Sequence, residues 1–172
     1  FNHSELVIKA LNKGKAIYVE KPLALNDESI IEIEEAIYNS DNPKLFVGFN
    51  RRFAEATQYI KQKINNQAAN SITFRFSVPP LDKDHWTNIK EIGGGRIVGE
   101  AIHAIDLACY LFDSLPQSVA SSAPVNKDNN EANENQVFIS VNFANGAHAA
   151  IQYFSETNQG LSKERIEVHG GG

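Results

Sequence analysis

The sequence has no methionine, a single cysteine and no excess of basic residues. Cys109 cannot close an intrachain disulfide, and it has no second thiol with which to form a cysteine-based metal site. With 16 Lys+Arg against 21 Asp+Glu, the formal charge is -5, which argues against a partner gripped mainly through its phosphates, so no nucleic-acid partner is expected. No apolar run reaches the roughly 20 residues that cross a bilayer, and no charged-then-apolar leader opens the chain. The expectation is a cytoplasmic protein with no membrane partner. The lack of Met, a bulky Phe1, a helical pattern that begins at once and a stop at Gly170-Gly171-Gly172 after a strand-like stretch read as a piece of a longer protein, trimmed at both ends.

What is present is globular: 172 residues, 42% hydrophobic and 22% charged, are enough for one good core, or for one domain and part of another. The first fifty residues alternate helix and strand. Leu6, Val7, Ile8, Ala10 and Leu11 form a short apolar stripe ending at Gly14. Ala16-Ile17-Tyr18-Val19 is an apolar run of the kind buried on both faces in a parallel sheet. Asn26-Asp27-Glu28 caps a helix through Ile30, Ile31, Ile33, Ala36 and Ile37 that Asn42-Pro43 stops, and Leu45 to Phe49 is a second buried-strand candidate. This order predicts a parallel α/β unit with right-handed crossovers.

After Arg51 the pattern changes. A helix over Phe53–Ile64 leads to a half-buried strand in which Ile72, Phe74, Phe76 and Val78 alternate with polar residues up to Pro79-Pro80. Val137, Ile139, Val141 and Phe143 alternate again, Asn145-Gly146 marks a hairpin, Ala147 to Phe154 returns, and Arg165 to His169 is one more strand. Between them lie a long apolar helix, Ile97–Phe112, and a polar loop, Asn126–Asn135, whose composition predicts mobility. The fold class is thus α/β followed by α+β, the latter rich in antiparallel strands. Ile72, Phe74, Phe76, Val137 and Ile139 are more than one helix should cover, so the sheet face is expected to join a homodimer or homotetramer.

Two places could carry chemistry. The Ile97–Phe112 helix is apolar nearly all round, yet holds Glu100, His103 and Asp106 at three-residue spacing along one face. Burying three ionisable groups is costly unless they pair or face a cavity. They read as a helix-surface ion cluster, as a satisfied core histidine, or as an acid/base histidine tuned by carboxylates; a metal site would lack a second histidine at helical spacing. Gly93-Gly94-Gly95 before this helix fits a phosphate cradle, a close backbone approach or a loop, and it is not a G-x-G-x-x-G fingerprint. The second place is Glu20-Lys21-Pro22, at the carboxyl end of a buried strand, where open α/β sheets bind ligands. Its proline favours an extended or cis geometry that aims Lys21 off the chain path; a solvated loop lysine is the plainer reading.

Gly14-Lys15-Ala16-Ile17-Tyr18-Val19-Glu20-Lys21-Pro22-Leu23-Ala24-Leu25 resembles the E-K-P stretch of the Gfo/Idh/MocA oxidoreductases. Val47 to Phe53 is similar to that family's passage between domains, and Gly93-Gly94-Gly95 with His103-Ala104-Ile105-Asp106 to its G-G-G…H-x-x-D helix. The resemblance covers nearly the whole chain. It implies a C-terminal remnant of a dinucleotide-binding Rossmann domain over residues 1–50. Residues 51–172 would then be a truncated substrate and oligomerisation domain, an open, largely antiparallel sheet with helices on one face. It further implies NAD or NADP as cofactor, no metal, and hydride transfer at a hydroxyl of a sugar, nucleotide sugar or cyclitol. In this frame Lys21, His103 and Glu100 are the catalytic candidates. Asp106, His85, Trp86 and Arg51 are substrate-binding candidates, Trp86 as a flat wall for a sugar and Arg51, with Arg52, for a carboxylate or phosphate unless they make structural ion pairs. Glu20, Lys21, Pro22 and His3 are cofactor-binding candidates.

Where many members have an aspartate four residues before the histidine, this chain has Gly99; Glu100 is the candidate to take its place, about 100° further round the helix. Gly-Gly-Gly-Arg-Ile-Val-Gly-Glu with His85-Trp86 is most similar to a subgroup fused behind a zinc-type alcohol dehydrogenase domain and linked to bacterial surface-polysaccharide synthesis. A glycoside hydrolase that uses NAD transiently and a non-catalytic assembly or sensing domain are the alternatives on this scaffold. Because the pyrophosphate-binding glycine turn is not in this sequence, the 172-residue chain is expected to bind NAD(H) poorly; isothermal titration calorimetry checks this, and tight binding would contradict it.

Overall fold

The computed structural model describes residues 2–64, 69–82, 84–125, 133, 136–158 and 160–170. The first unit is α1 (His3–Leu11), β1 (Ala16–Val19), α2 (Asp27–Tyr38) and β2 (Lys44–Val47). β1 and β2 run parallel, Ala16 opposite Lys44 and Val19 opposite Val47. Val7 and Leu11, one helical turn apart on α1, pack with Val19, Ile33 and Ala36. The Asn26 side chain caps α2, its Oδ1 accepting from Ser29 N–H at 2.9 Å.

The expectation that β1 and β2 are buried on both faces is corrected. Both helices cover the face carrying Ile17, Val19, Leu45 and Val47. The opposite face holds Tyr18 and Phe46, exposed and stacked with ring centroids 5.6 Å apart. Among the described residues no helix lies over it.

A 3₁₀ turn (Asn50–Phe53) and α3 (Glu55–Ile64) lead into the second unit. Its strands are β3 (Ala69–Ser77), β4 (Pro116–Ser122), β5 (Gln136–Phe143), β6 (His148–Phe154) and β7 (Glu164–Gly170), in the order β4-β5-β6-β3-β7. Every pairing is antiparallel except β3 with β6, so the fold is the expected largely antiparallel α+β sheet with one parallel seam. β4 is an element the sequence did not announce. Its residues are all exposed, so it carries no apolar alternation to read. The Asn145-Gly146 hairpin is present: Phe143 N–H donates to Ala147 O, Gly146 takes φ 85°, and Asn145 Nδ2 donates to Phe112 O at 3.1 Å. The polar loop Asn126–Asn135 lies outside the described residues save for Asn133.

Ile97–Phe112 is not one regular helix. Ile97–Ala101 is a π turn, with Ile102 N–H reaching back to Ile97 O, and α5 (Ile102–Phe112) follows. α5 lies on the sheet with Ala101, Ala104 and Ala108 fully buried at the contact, where their small side chains let backbone and strands approach. Ile72, Phe74, Phe76, Val137 and Ile139 therefore do not await a partner. All are at most 9% exposed, facing α5 together with Ile60 and Ile64 of α3. The association argument built on them fails. The other sheet face is the polar half of each alternation, with Arg75, Gln152, Arg165 and Glu167 in register, plus a Phe138–Phe154 pair 5.4 Å apart. Among the described residues no helix is long and apolar enough to cross a membrane.

Phe74 is 1% exposed at the centre of this core. Phe74→Ala is expected to cost about 3–5 kcal/mol of unfolding free energy, measured by urea denaturation; a loss under about 1 kcal/mol would contradict the packing described.

Candidate active site

A cavity of about 320 Å³ opens where the end of β1, the glycine run and the start of α5 meet. Lys21 enters it from the carboxyl end of β1, just before a cis peptide to Pro22. Its Nζ donates to Gly99 O at 2.6 Å, across 78 residues of sequence. Burial lowers the lysine's pKa, and the Glu100 carboxylate works against that.

His103 stands on the first turn of α5, 6% exposed, with Phe49 packed edge-on at 6.2 Å. Its Nδ1 is buried and has no hydrogen-bond partner among the described residues, which in a folded interior asks for an explanation. Nδ1 itself is closed off from solvent, and it is another part of the ring that lines the cavity. Burial first, then the charges of Arg51 and Lys21, bring its pKa from 6.5 to about 4. At neutral pH this imidazole is uncharged.

Glu100 also lines the cavity, but its carboxylate is engaged: Arg96 Nε lies 2.9 Å away, and the Tyr153 hydroxyl bonds to it. The same Arg96 Nε donates to Tyr153 Oη at 2.9 Å, with arginine and tyrosine both buried. Burial, and next the Glu100 charge, raise the Tyr153 pKa. The expected alignment of Glu100, His103 and Asp106 on one face is corrected. Three residues advance an α-helix by about 300°, so each step of three slips about 60° and Asp106 ends far round from Glu100. Asp106 is absent from the cavity wall; its Oδ2 accepts from Arg52 Nε at 2.8 Å, and the guanidinium lies over the rings of Tyr110 and Phe49. That separation also breaks up the candidate metal triad.

The remaining candidates divide. Arg51 lines the cavity and is paired with Glu164, Nε to Oε2 at 3.1 Å. Trp86 and Pro22 line it too. His85 does not; it stacks on Trp86 at 5.9 Å and bonds Thr87 Oγ1 at 2.7 Å, which makes it a support for the wall. Glu20 is exposed and accepts from the Tyr18 hydroxyl at 3.0 Å. His3 Nδ1 lies 3.0 Å from Pro22 O and ties α1 to the lysine loop. Of the three readings of the glycine run, close approach fits Gly93: a Cβ there would sit 2.6 Å from Thr87 Cα.

Sequence reasoning missed Lys163, Arg96 and Tyr153. Arg96 had a signal, a cation four residues before Glu100 on an apolar helix. Lys163 had none beyond preceding a strand.

The GFO/IDH/MocA C-terminal domain model matches residues 66–171. The chain is 31% identical to an inositol 2-dehydrogenase of Rhizobium meliloti and 30% identical to a myo-inositol 2-dehydrogenase of Thermotoga maritima. Each match covers 98% of this chain and 51% of the relative. The chain belongs to the GFO/IDH/MocA family. It spans about half the length of the curated relatives it matches. An aldose-aldose oxidoreductase from Caulobacter crescentus shares the fold, with a TM-score of 0.80 at 19% identity over 96% of this chain and 50% of that one.

Because the folded-state pKa of His103 lies below 6.5, the unfolded chain takes up that proton first as pH drops. This contribution to stability is whole above pH 6.5 and lost as pH falls to about 4. An NMR titration of His103 should have its midpoint near 4, and Lys21→Met or Arg51→Met should raise it by removing a repelling cation. A midpoint at 6.5 in the unaltered protein would contradict the buried, positive setting.

Proposed function

We propose that the whole protein is an NAD(P)-dependent dehydrogenase acting on a hydroxyl of a sugar, nucleotide sugar or cyclitol. In this reading residues 1–50 are the end of its dinucleotide domain and residues 51–172 most of its substrate domain. The observation that carries the reading is the convergence of Lys21 and His103 on one cavity. The two inositol dehydrogenase relatives support the substrate class.

The residues present fit a nicotinamide cofactor. Lys21 and Pro22 line the cavity from the carboxyl end of β1, and His3 braces them from behind. When bound, the cofactor supplies the hydride acceptor. Lys21 keeps a donor near the substrate oxygen and stabilises negative charge developing there. His103, neutral before reaction, accepts the hydroxyl proton; the negative charge growing on that oxygen raises its proton affinity as the transfer proceeds. Gly99 O holds the ammonium in position, and Trp86 supplies an apolar face for the ring. Glu100, fixed by Arg96 and Tyr153, places one negative charge near Lys21 and favours its protonated form.

The test uses the full-length protein with sugars, inositols and NAD or NADP, following reduced nicotinamide. Lys21→Met and His103→Ala should each lower kcat by roughly 10²–10⁴-fold. Turnover like that of the unaltered protein in both variants would overturn the assignment, and release of a leaving group without net reduced cofactor would favour the hydrolase.

A further inference from the structure

We infer that the substrate carries an oxyanion, a carboxylate or a phosphate ester, received at the cavity by Lys163 with Arg51 beside it. This deepens the dehydrogenase reading and rests on it.

The argument is a count of charge. The chain as a whole is acidic, at -5. Its cavity is the reverse: among the described residues Lys21, Arg51, Arg96 and Lys163 line it, against the carboxylate of Glu100. Two of the cations are matched, Arg96 by Glu100 and Arg51 by Glu164. Lys21 donates to a backbone carbonyl, which orients the ammonium without neutralising it. Lys163 makes no ion pair among the described residues. Two positive charges are therefore left over at one concave site, where low-dielectric walls concentrate their field.

Lys163 is not placed there by a loose tether. Its carbonyl accepts from Ser77 N–H at 2.8 Å, and the next residue, Glu164, pairs with Phe76 at the start of β7. Phe76 itself lines the cavity. The backbone that bears Lys163 is thus stitched to the sheet edge beside the site. The three cations also act on one point: Arg51, Lys21 and Lys163 all depress the basicity of His103, and Glu164 opposes them. A neutral polyol would leave that repulsion standing. An oxyanion next to Lys163 relieves it and returns basicity to the imidazole. The dinucleotide's own phosphates are the other source of an oxyanion. The backbone of Lys163 is joined to β3 of the five-stranded sheet beside Phe76, not to the two-stranded unit that carries Lys21, and this favours the substrate.

The test uses the full-length protein and three probes of one ring type: glucose, glucuronate and glucose 6-phosphate. With isotope-labelled histidine, glucuronate or glucose 6-phosphate should raise the His103 midpoint above its value of about 4, and glucose should not. Lys163→Gln should weaken binding of the anionic sugar about tenfold, as expected for loss of one charged hydrogen bond. In steady-state assays with NAD or NADP it should narrow the kcat/KM gap between the anionic sugar and glucose. No shift with either anion, or a Lys163→Gln effect confined to the KM of the cofactor, overturns the inference and leaves the dehydrogenase reading intact. A shift with the anions, abolished by Lys163→Gln, while none of these sugars or the inositols reduces the cofactor, upholds the anion site and overturns the dehydrogenase reading instead.

Discussion

One hydrogen bond organises this molecule: the Lys21 ammonium on the carbonyl of Gly99. It joins the end of a two-stranded parallel sheet to the first turn of the helix that covers the five-stranded one. A regular α-helix keeps its carbonyls turned along the axis and occupied by the following turn. The wider π turn at Ile97–Ala101 breaks that register, and a carbonyl within it is taken by a side chain from another domain-sized unit. Lys21 is thereby half-desolvated and aimed. The cavity lies where the end of β1, the residue before β7 and the π turn leading into α5 come together.

Arg51 and Arg52 show how little separates structural from functional roles in such a junction. Adjacent in sequence on a tight 3₁₀ turn, they diverge. Arg52 goes to Asp106, shielded by Tyr110 and Phe49, and binds α5 to the junction. Arg51 goes to Glu164 and keeps one side on the cavity. Removing Arg52 would strand the buried Asp106 carboxylate, which makes this pair a constraint on how α5 sits against the Asn50–Phe53 turn.

Much of this was legible because it is local or periodic. Alternation wrote out β3, β5 and β6, since each strand has one face against α5, and Asn26 and Asn145-Gly146 marked their cap and turn by side-chain chemistry. Lys21, His103 and Glu100 could be named because ionisable residues at a strand end or on an apolar helix need a reason to be there. β4 could not be seen, because an exposed strand held only by backbone bonds to β5 needs no apolar pattern. Asp106 was misplaced because a three-residue spacing drifts off a helix face. Lys163 was invisible because its place in the cavity depends on the pairing of β3 with β7, a contact between segments nearly ninety residues apart. Non-local pairing is the information a linear reading does not hold.

The electrostatics of the cavity follow from the same geometry and set two demands against each other. In the proposed reaction, positive charges around a buried imidazole weaken it as a base at rest, and the same charges stabilise an alkoxide as it forms. A base that is weak at rest and strengthened by the charge it helps to create gains most in the transition state, which is where binding energy accelerates a reaction. Glu100 moderates this balance without entering it. Clamped by Arg96 and Tyr153, it offsets one cation and leaves the ring of His103 untouched. At Gly99 the lysine meets a neutral backbone carbonyl, which orients its charge without cancelling it.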